Sequence, residues 1–330
     1  MGLKGYILKR TIYSVILVFC VLTVNFIIFN LMPGDPISQY LQNPESRLSN
    51  EDVEVLKKIY GIGLPYHERY LVYLQNMLTL NLGKTQVTRV PVSEEITKRL
   101  GNTVLLMTTA IVISITIGTL LGTFTAYKRA TKFDTAVVTG SLILGSLPVF
   151  WIGILMLFFF AVYLKWFPVG GTVPKWWAYN PPTNPLEIVM GRLYCIALPA
   201  LTLIIFSVDN WTLLTRACVL QTITEDYVVT ARAKGLPERK VLLKHVLKPA
   251  SLPLVTAMAL SFAGIFSGAI ITETVFSYEG MGRWIYLAIV EKNLPVLYAV
   301  FFISGLLVII ANFIIDLVYG VIDPRIKVGR

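Results

Sequence analysis

Residues 224–253 read TEDYVVTARAKGLPERKVLLKHVLKPASLP, the longest charge-rich interval between two apolar runs in the second half of the chain. It has the grammar of two short helices meeting at a glycine. Thr224 stands as an N-cap, Glu225 and Asp226 fall in the first turn, and Arg232 and Lys234 in the last, the charge order a helix dipole favours. Gly235 follows where a left-handed C′ residue is wanted. Pro237 can open the second helix, because its missing N–H would be unpaired there anyway. Glu238 then falls early, Lys244, His245 and Lys248 fall late, and Pro249 and Pro253 mark the return to the next apolar run. The expected product is a compact helix–turn–helix knob, with Val228, Ala231 and Leu236 near its tip and nothing in the chain to cover them. Local grammar leaves two readings open: a solvated loop with well-made caps, or a docking knob for a soluble partner.

The runs on either side set the class. With 330 residues, 55% hydrophobic content and a mean hydropathy of +0.68, the chain is more apolar than an ordinary soluble domain, which is about 45–50% apolar. Six stretches of roughly 20 residues or more are long enough to cross a bilayer. They are 11–32, 101–127, 135–164, 193–215 (interrupted only by Asp209), 250–272 and 294–315. The first is too long for the apolar part of a signal peptide, and no small-residue cleavage site follows it.

A net charge of +10 in a soluble protein would suggest nucleic acid; its distribution here excludes that reading. With the N-terminus inside, the cytoplasmic pieces 1–10, 128–134, 216–249 and 322–330 carry 16 Lys and Arg against five acids. The much longer external pieces carry 13 against 12. That asymmetry is the positive-inside pattern, and it predicts a multi-pass plasma-membrane protein with both termini and the knob in the cytoplasm. Cys20, Cys195 and Cys218 lie in or beside apolar runs at irregular spacing, the behaviour of packing residues and not of metal or redox ligands.

Along the chain, NLMPGDP closes the first run, with Pro33, Gly34 and Pro36 forcing the backbone out of helix. Residues 37–100 carry eight basic and seven acidic side chains, and 51–60 and 67–78 have helical spacing, so a small external cap is expected, either a landing site for a partner or a packing insert. Gly83-Lys84-Thr85 ends like a phosphate-binding loop, but Leu78 stands where the first glycine should be and no strand precedes it. Gly118-x-x-x-Gly122, Ser141-x-x-x-Gly145 and Gly264-x-x-x-Gly268 are small-residue pairs that suit close helix packing in lipid. Pro148 should kink the third run, and Trp166, Trp176 and Trp177 suit interfacial anchors. Asp209, with Asn210 and Trp211 beside it, lies about 10 Å above the inner boundary at 1.5 Å per residue. It either lines a translocation path or permease seam or pairs with Arg216; Glu273, ending the fifth run, is the other acid considered for such a path. Asp316 is expected to pair with Arg325 or Lys327.

Several of these stretches together carry a resemblance. EDYVVTARAKGL and HVLKPASLP resemble the coupling-loop (EAA) motif of ABC-importer permeases, in the form found in the dipeptide/oligopeptide permease family. Val229 and Thr230 stand where the general motif has Glu and its first Ala, as in that subfamily. PGDP after the first run, SLPVFWIGILMLFFFAVYLKWFPVGGT, TETVFSYEGMGRWIY and NFIIDLVYGVIDPRI are similar to further stretches of the same family, so the likeness covers essentially the whole chain in order.

The resemblance implies an all-α membrane protein with six transmembrane helices of ABC-importer permease type. Residues 1–36 would hold the first helix, 37–100 an external segment, and 101–330 the five-helix core with its coupling loop at 216–249. It implies docking on an ATPase through Glu225, Asp226, Tyr227, Val228, Ala231, Arg232, Lys234, Gly235, Leu236 and Arg239. The implied partners are a second homologous permease, two cytoplasmic ABC ATPase subunits and an external substrate-binding protein in a lipid membrane, with no nucleic acid. No cofactor is expected on this chain, ATP and Mg belonging to the partner subunits. The implied activity is alternating-access import of di- and oligopeptides, or of oligosaccharides or chelated nickel by the same machinery.

An intramembrane enzyme fits less well: the only histidines, His67 and His245, are expected in loops outside the apolar runs, and His-Glu-x-x-His, Gly-x-Ser-x-Gly and Cys-x-x-Cys are all missing. A self-sufficient secondary transporter would want internal repeats and midplane ionisable groups, which one off-centre acid does not supply.

Overall fold

The computed structural model describes residues 3–31, 54, 61, 63–85, 90–291 and 293–322. NLMPGDP beyond Leu31, most of 51–60, and Arg325 and Lys327 lie outside them. The fold is all-α: among the described residues the only extended pairing is an isolated bridge between Lys84 and Pro91. In chain order the helices are α1 (Leu3–Leu31), α2 (Tyr66–Leu78), α3 (Val92–Tyr127), α4 (Lys132–Gly145), α5 (Val149–Tyr163), α6 (Pro185–Ile223), α7 (Asp226–Ala233), α8 (Glu238–Gly264), α9 (Ile270–Val275), α10 (Met281–Val290) and α11 (Leu294–Ile322). Helices α1, α3, α6, α8 and α11 are each long and apolar enough to cross a bilayer. Helices α4 and α5 make a sixth crossing only as a broken pair, bent by 95°. Many apolar side chains on these helices stay exposed, such as Ile16, Leu120, Leu252 and Ile314, as surfaces that meet lipid tails do.

The chain divides into two compact units. One comprises Met1–Thr103, Phe266–Ile270 and Gly280–Arg330. In it α1 runs against α11 around a core that includes Leu22, Phe26, Phe29, Tyr73, Trp284 and Tyr298. Polar groups within that core are tied together: the Asn25 amide donates to the Tyr73 hydroxyl at 3.2 Å and to the Tyr298 carbonyl at 3.1 Å, and Asn30 donates to the Tyr298 hydroxyl at 2.8 Å. Burial pushes the Tyr73 phenol well up from its usual range. At the other end of α1, Arg10 reaches Asp316 at 2.8 Å. Asp316 thus has a partner two helical turns into α1, which the α1–α11 pairing brings alongside; the expected partners Arg325 and Lys327 lie outside the described residues.

The other unit comprises Val104–Ile265 and Ile271–Glu279. Here α3 crosses α6 at its two glycines. A Cβ on Gly118 would overlap Trp211, and one on Gly122 the Thr212 carbonyl, so the Gly118/Gly122 pair makes the close approach its spacing suggests. Gly264 behaves differently: a Cβ there meets nothing within 4 Å, and Gly268 sits at φ +75°. This pair ends a helix and allows a turn; it does not pack two helices. The continuous third run also gives way, because α4 stops at Gly145 and α5 restarts after Pro148, whose extended ψ of 137° turns the chain. The residue before a proline is pushed out of helical geometry, and the proline offers no N–H to α4.

Helix α8 starts earlier than the apolar pattern suggests, at Glu238, and stops at Gly264. Pro249 and Pro253 lie inside it and end nothing. Its stretch Val241–Leu247 takes the wider π register before α-helical bonding resumes at Lys248, immediately ahead of Pro249, which has no N–H to donate.

Candidate coupling site

The knob forms between α6 and α8. The Thr224 hydroxyl donates to the Gln221 carbonyl at 3.0 Å, spending itself on the end of α6, so it does not cap α7. Glu225 takes the N-cap position without a side-chain bond. Gly235 ends α7 at φ +72°, with its N–H donating to the Arg232 carbonyl at 2.9 Å, and nothing lies within 4 Å of where its Cβ would be. The glycine is therefore required by backbone angle and not by crowding. Pro237 stands at the N-cap of α8 rather than within its first turn.

Across that turn Arg232 grips Glu238 with two bonds, Nη2 to Oε1 at 2.9 Å and Nε to Oε2 at 3.3 Å. The carboxylate pushes the Arg232 guanidinium further above its usual value, so Arg232 stays charged at any physiological pH. Both side chains are about two-fifths exposed, and an ion pair in that setting is worth about 1 kcal/mol or less. It sets the angle between the two arms more than it stabilises them.

What holds the knob is apolar. Val228 and Ala231 are buried with Ala126 from the end of α3, Val219 from the end of α6, and Val241, Val246 and Ala250 from the start of α8. Leu236 is half-buried against the same cluster. The expectation that these three lie uncovered near the tip is thus corrected: α7 lies flat across three helix ends and turns them inward. Glu225, Asp226, Tyr227, Arg232, Lys234, Gly235 and Arg239 remain on the exposed side. The second arm is continuous with α8, so a push on the knob acts directly on a spanning helix.

A buried ion pair adds the fourth element. Arg216 near the foot of α6 binds Asp134 in the first turn of α4, Nε to Oδ1 at 2.8 Å and Nη2 to Oδ2 at 3.0 Å. The Asp134 side chain is only 7% exposed, and its Oδ2 also accepts from the Ala130 N–H at 2.9 Å. A bidentate guanidinium–carboxylate pair resists both sliding and rotation. The signal for it in the sequence was Thr131 three residues before Asp134, an N-cap signature: the Thr131 hydroxyl accepts from the Asp134 N–H at 3.4 Å.

Because Arg216 is taken, Asp209 does not pair with it. One Asp209 oxygen, Oδ2, packs directly against Gly145 at the end of α4, and Oδ1 is buried without a hydrogen-bond partner among the described residues. Asn210 is exposed, Trp211 is buried against Gly118, and Glu273 is fully buried in α9. These four residues do not share one surface.

Comparison with known proteins supplies the lineage. Residues 118–328 match the model of the family described as binding-protein-dependent transport system inner membrane component. The chain is 32% identical over 326 residues to the oligopeptide transport system permease protein AppB of Bacillus subtilis (strain 168), covering 98% of this chain and 100% of that one. It is 33% identical over 323 residues to the di/tripeptide transport system permease protein DppB of Pseudomonas aeruginosa (strain UCBPP-PA14), covering 94% and 95% respectively. Five apolar spans, a sixth broken one and a braced knob between two of them are thus the frame of a non-catalytic, multi-pass inner-membrane subunit, and the chain belongs to the binding-protein-dependent ABC transport permease family.

Proposed function

We propose that this chain is one permease half of an importer of di- and oligopeptides, moved by ATPases that dock on the exposed side of the knob. The single observation carrying the mechanical part is the apolar seat of α7 on the ends of α3, α6 and α8. A knob on a loose loop would absorb force; one packed on three helix ends passes it on. Glu225, Asp226, Tyr227, Arg232, Lys234 and Arg239 offer the charged and aromatic contacts for the ATPase, while Val228, Ala231 and Leu236 anchor them from behind.

In this reading ATP and its Mg stay on the ATPase partners, a second permease completes the path, and an external binding protein delivers cargo. Closure of the ATPases pushes α7, and Arg216–Asp134 carries the displacement from α6 into α4. Asn210, which is exposed, and Asp209 beside it are the residues offered to the path or to the seam with the second permease, whereas Trp211 and Glu273 are buried within this chain. The peptide assignment is carried over from the oligopeptide and di/tripeptide permeases this chain resembles.

The test is uptake of a labelled tripeptide into vesicles holding the four-subunit transporter. ATP-dependent uptake is expected from the intact complex and none from this chain alone. Gly235→Val should leave the ATPases hydrolysing while uptake falls by at least about tenfold, because a β-branched residue at φ above zero costs roughly 1–3 kcal/mol. Undiminished uptake by that variant would remove the lever from the mechanism.

A further inference from the structure

At the end of α6 opposite the knob, the loop before the helix folds beside its first turns and leaves an open cleft of about 370 Å³. Trp176, Trp177 and Tyr194 supply aromatic walls, with Asn180, Met190 and Glu187 completing the lining. The walls are fixed. A Cβ on Gly191 would overlap Trp177, so that glycine lets the indole lie directly on the helix. The Trp176 and Tyr194 rings stand 5.6 Å apart at 48°, and Trp176 nonetheless remains 53% exposed, its surface turned to whatever enters.

Glu187 is held as firmly. Asn184 caps α6 by accepting from the Glu187 N–H at 2.8 Å, and the Glu187 Oε2 accepts in return from the Thr183 N–H at 2.9 Å and the Thr183 hydroxyl at 3.4 Å. Cap formation uses one oxygen. Oε1 of this exposed side chain has no hydrogen-bond partner among the described residues, and neither Lys175 nor Arg192, the nearest bases in sequence, lines the cleft. A held carboxylate oxygen at an open aromatic cleft attracts an organic cation twice, through charge and through the ring faces.

We propose that this pocket binds an organic ammonium group, with Trp176, Trp177 and Tyr194 around the cation and the Glu187 Oε1 as its counter-charge. Building on the peptide-import reading above, the ammonium is the free amino terminus of a peptide waiting on the external side. A single carboxylate among rings and prolines is poorly suited to a hard metal ion, which wants several oxygen ligands. An ethanolamine headgroup carries the same chemistry, and the test separates the two sources.

The full chain is placed in nanodiscs of phosphatidylglycerol, whose headgroup has no ammonium, and titrated with alanyl-alanine amide or its N-acetyl form by saturation-transfer NMR. Saturable binding is expected for the free amine, with the acetylated probe weaker by about tenfold or more, the range a charge-assisted hydrogen bond supports. Glu187→Gln should weaken the free amine by a similar factor, while its amide oxygen keeps the cap, since Gln serves a capping box as Glu does. Trp176→Leu keeps the apolar contact, loses the ring face and should weaken it about threefold or more.

Repeating the titration with phosphatidylethanolamine present assigns the source: displacement of the probe identifies the lipid as native occupant, and none identifies the peptide. Equal binding of the two probes, or a Glu187→Gln chain that binds the free amine as tightly as the parent, overturns the proposal. That failure would leave peptide import untouched, because import is read separately by vesicle uptake.

Discussion

Val228 and Val229 are consecutive, chemically identical and in the same turn of α7, yet one is 0% exposed and the other 56%. Replacing each by alanine therefore isolates the seat of the knob. Both changes gain the same small helix propensity, roughly 0.5 kcal/mol, so the difference between them is burial alone. Val228→Ala removes two carbons from the cluster with Val219, Val241 and Val246, worth about 0.8 kcal/mol each in transfer, and the cavity left among three helix ends adds up to about 1 kcal/mol. After the propensity gain the net loss is about 2 kcal/mol, roughly thirtyfold in the equilibrium for local opening of α7. The assay is native-state hydrogen exchange on peptides covering 224–236, in nanodiscs, for both variants. Protection should fall about thirtyfold in Val228→Ala and less than about threefold in Val229→Ala. Equal losses in the two, or none in Val228→Ala, would show that α7 is not braced on the spans, and force transmission through it would have to be abandoned.

Other positions make sharper demands on packing and backbone. Gly122→Ala should cost the folded chain several kcal/mol, because the added methyl meets a backbone carbonyl, Thr212 O, that cannot rotate away; thermal unfolding in detergent would register this as a large drop in midpoint. Gly264→Ala, with open space around it, should leave that midpoint within a degree or two. Arg216→Ala strands a carboxylate that is 7% exposed and should destabilise by about 3–5 kcal/mol, whereas Arg216→Ala with Asp134→Ala should recover much of it; a double-mutant cycle on unfolding measures the difference. At the turn, Gly235→Asn should retain far more uptake than Gly235→Val, because asparagine tolerates the left-handed region and valine does not.

The proposed mechanism needs a rigid connection from the knob to the helices and a compliant one elsewhere. The contacts above supply the first in three distinct currencies of structure: apolar burial under α7, a two-bond ion pair at the foot of α6, and glycine-mediated contact between α3 and α6. The break between α4 and α5 is a natural place for the second. Three residues there, Ser146 to Pro148, separate two helices bent by 95°, and Asp209 packs against Gly145 at its edge.

Class, spans and knob were legible in the sequence because each rests on a one-dimensional quantity. Apolar run length fixes what can cross a bilayer, and Gly235 signals a left-handed turn by its position after Arg232 and Lys234. Tertiary structure alone decided what those elements face. Val228, Ala231 and Leu236 read as an uncovered tip until the ends of α3, α6 and α8 closed over them, and no periodicity within eight residues reports a surface contributed by residues 126, 219 and 246. Partner choice among charges was equally hidden: Arg216 lies seven residues from Asp209 in sequence but binds Asp134, 82 residues away, and Asp316 binds Arg10 from the far end of the sequence. Sequence separation ranks neighbours along the chain, whereas an ion pair needs only that two helices be packed side by side, and that is settled by the shape of the whole contact between them.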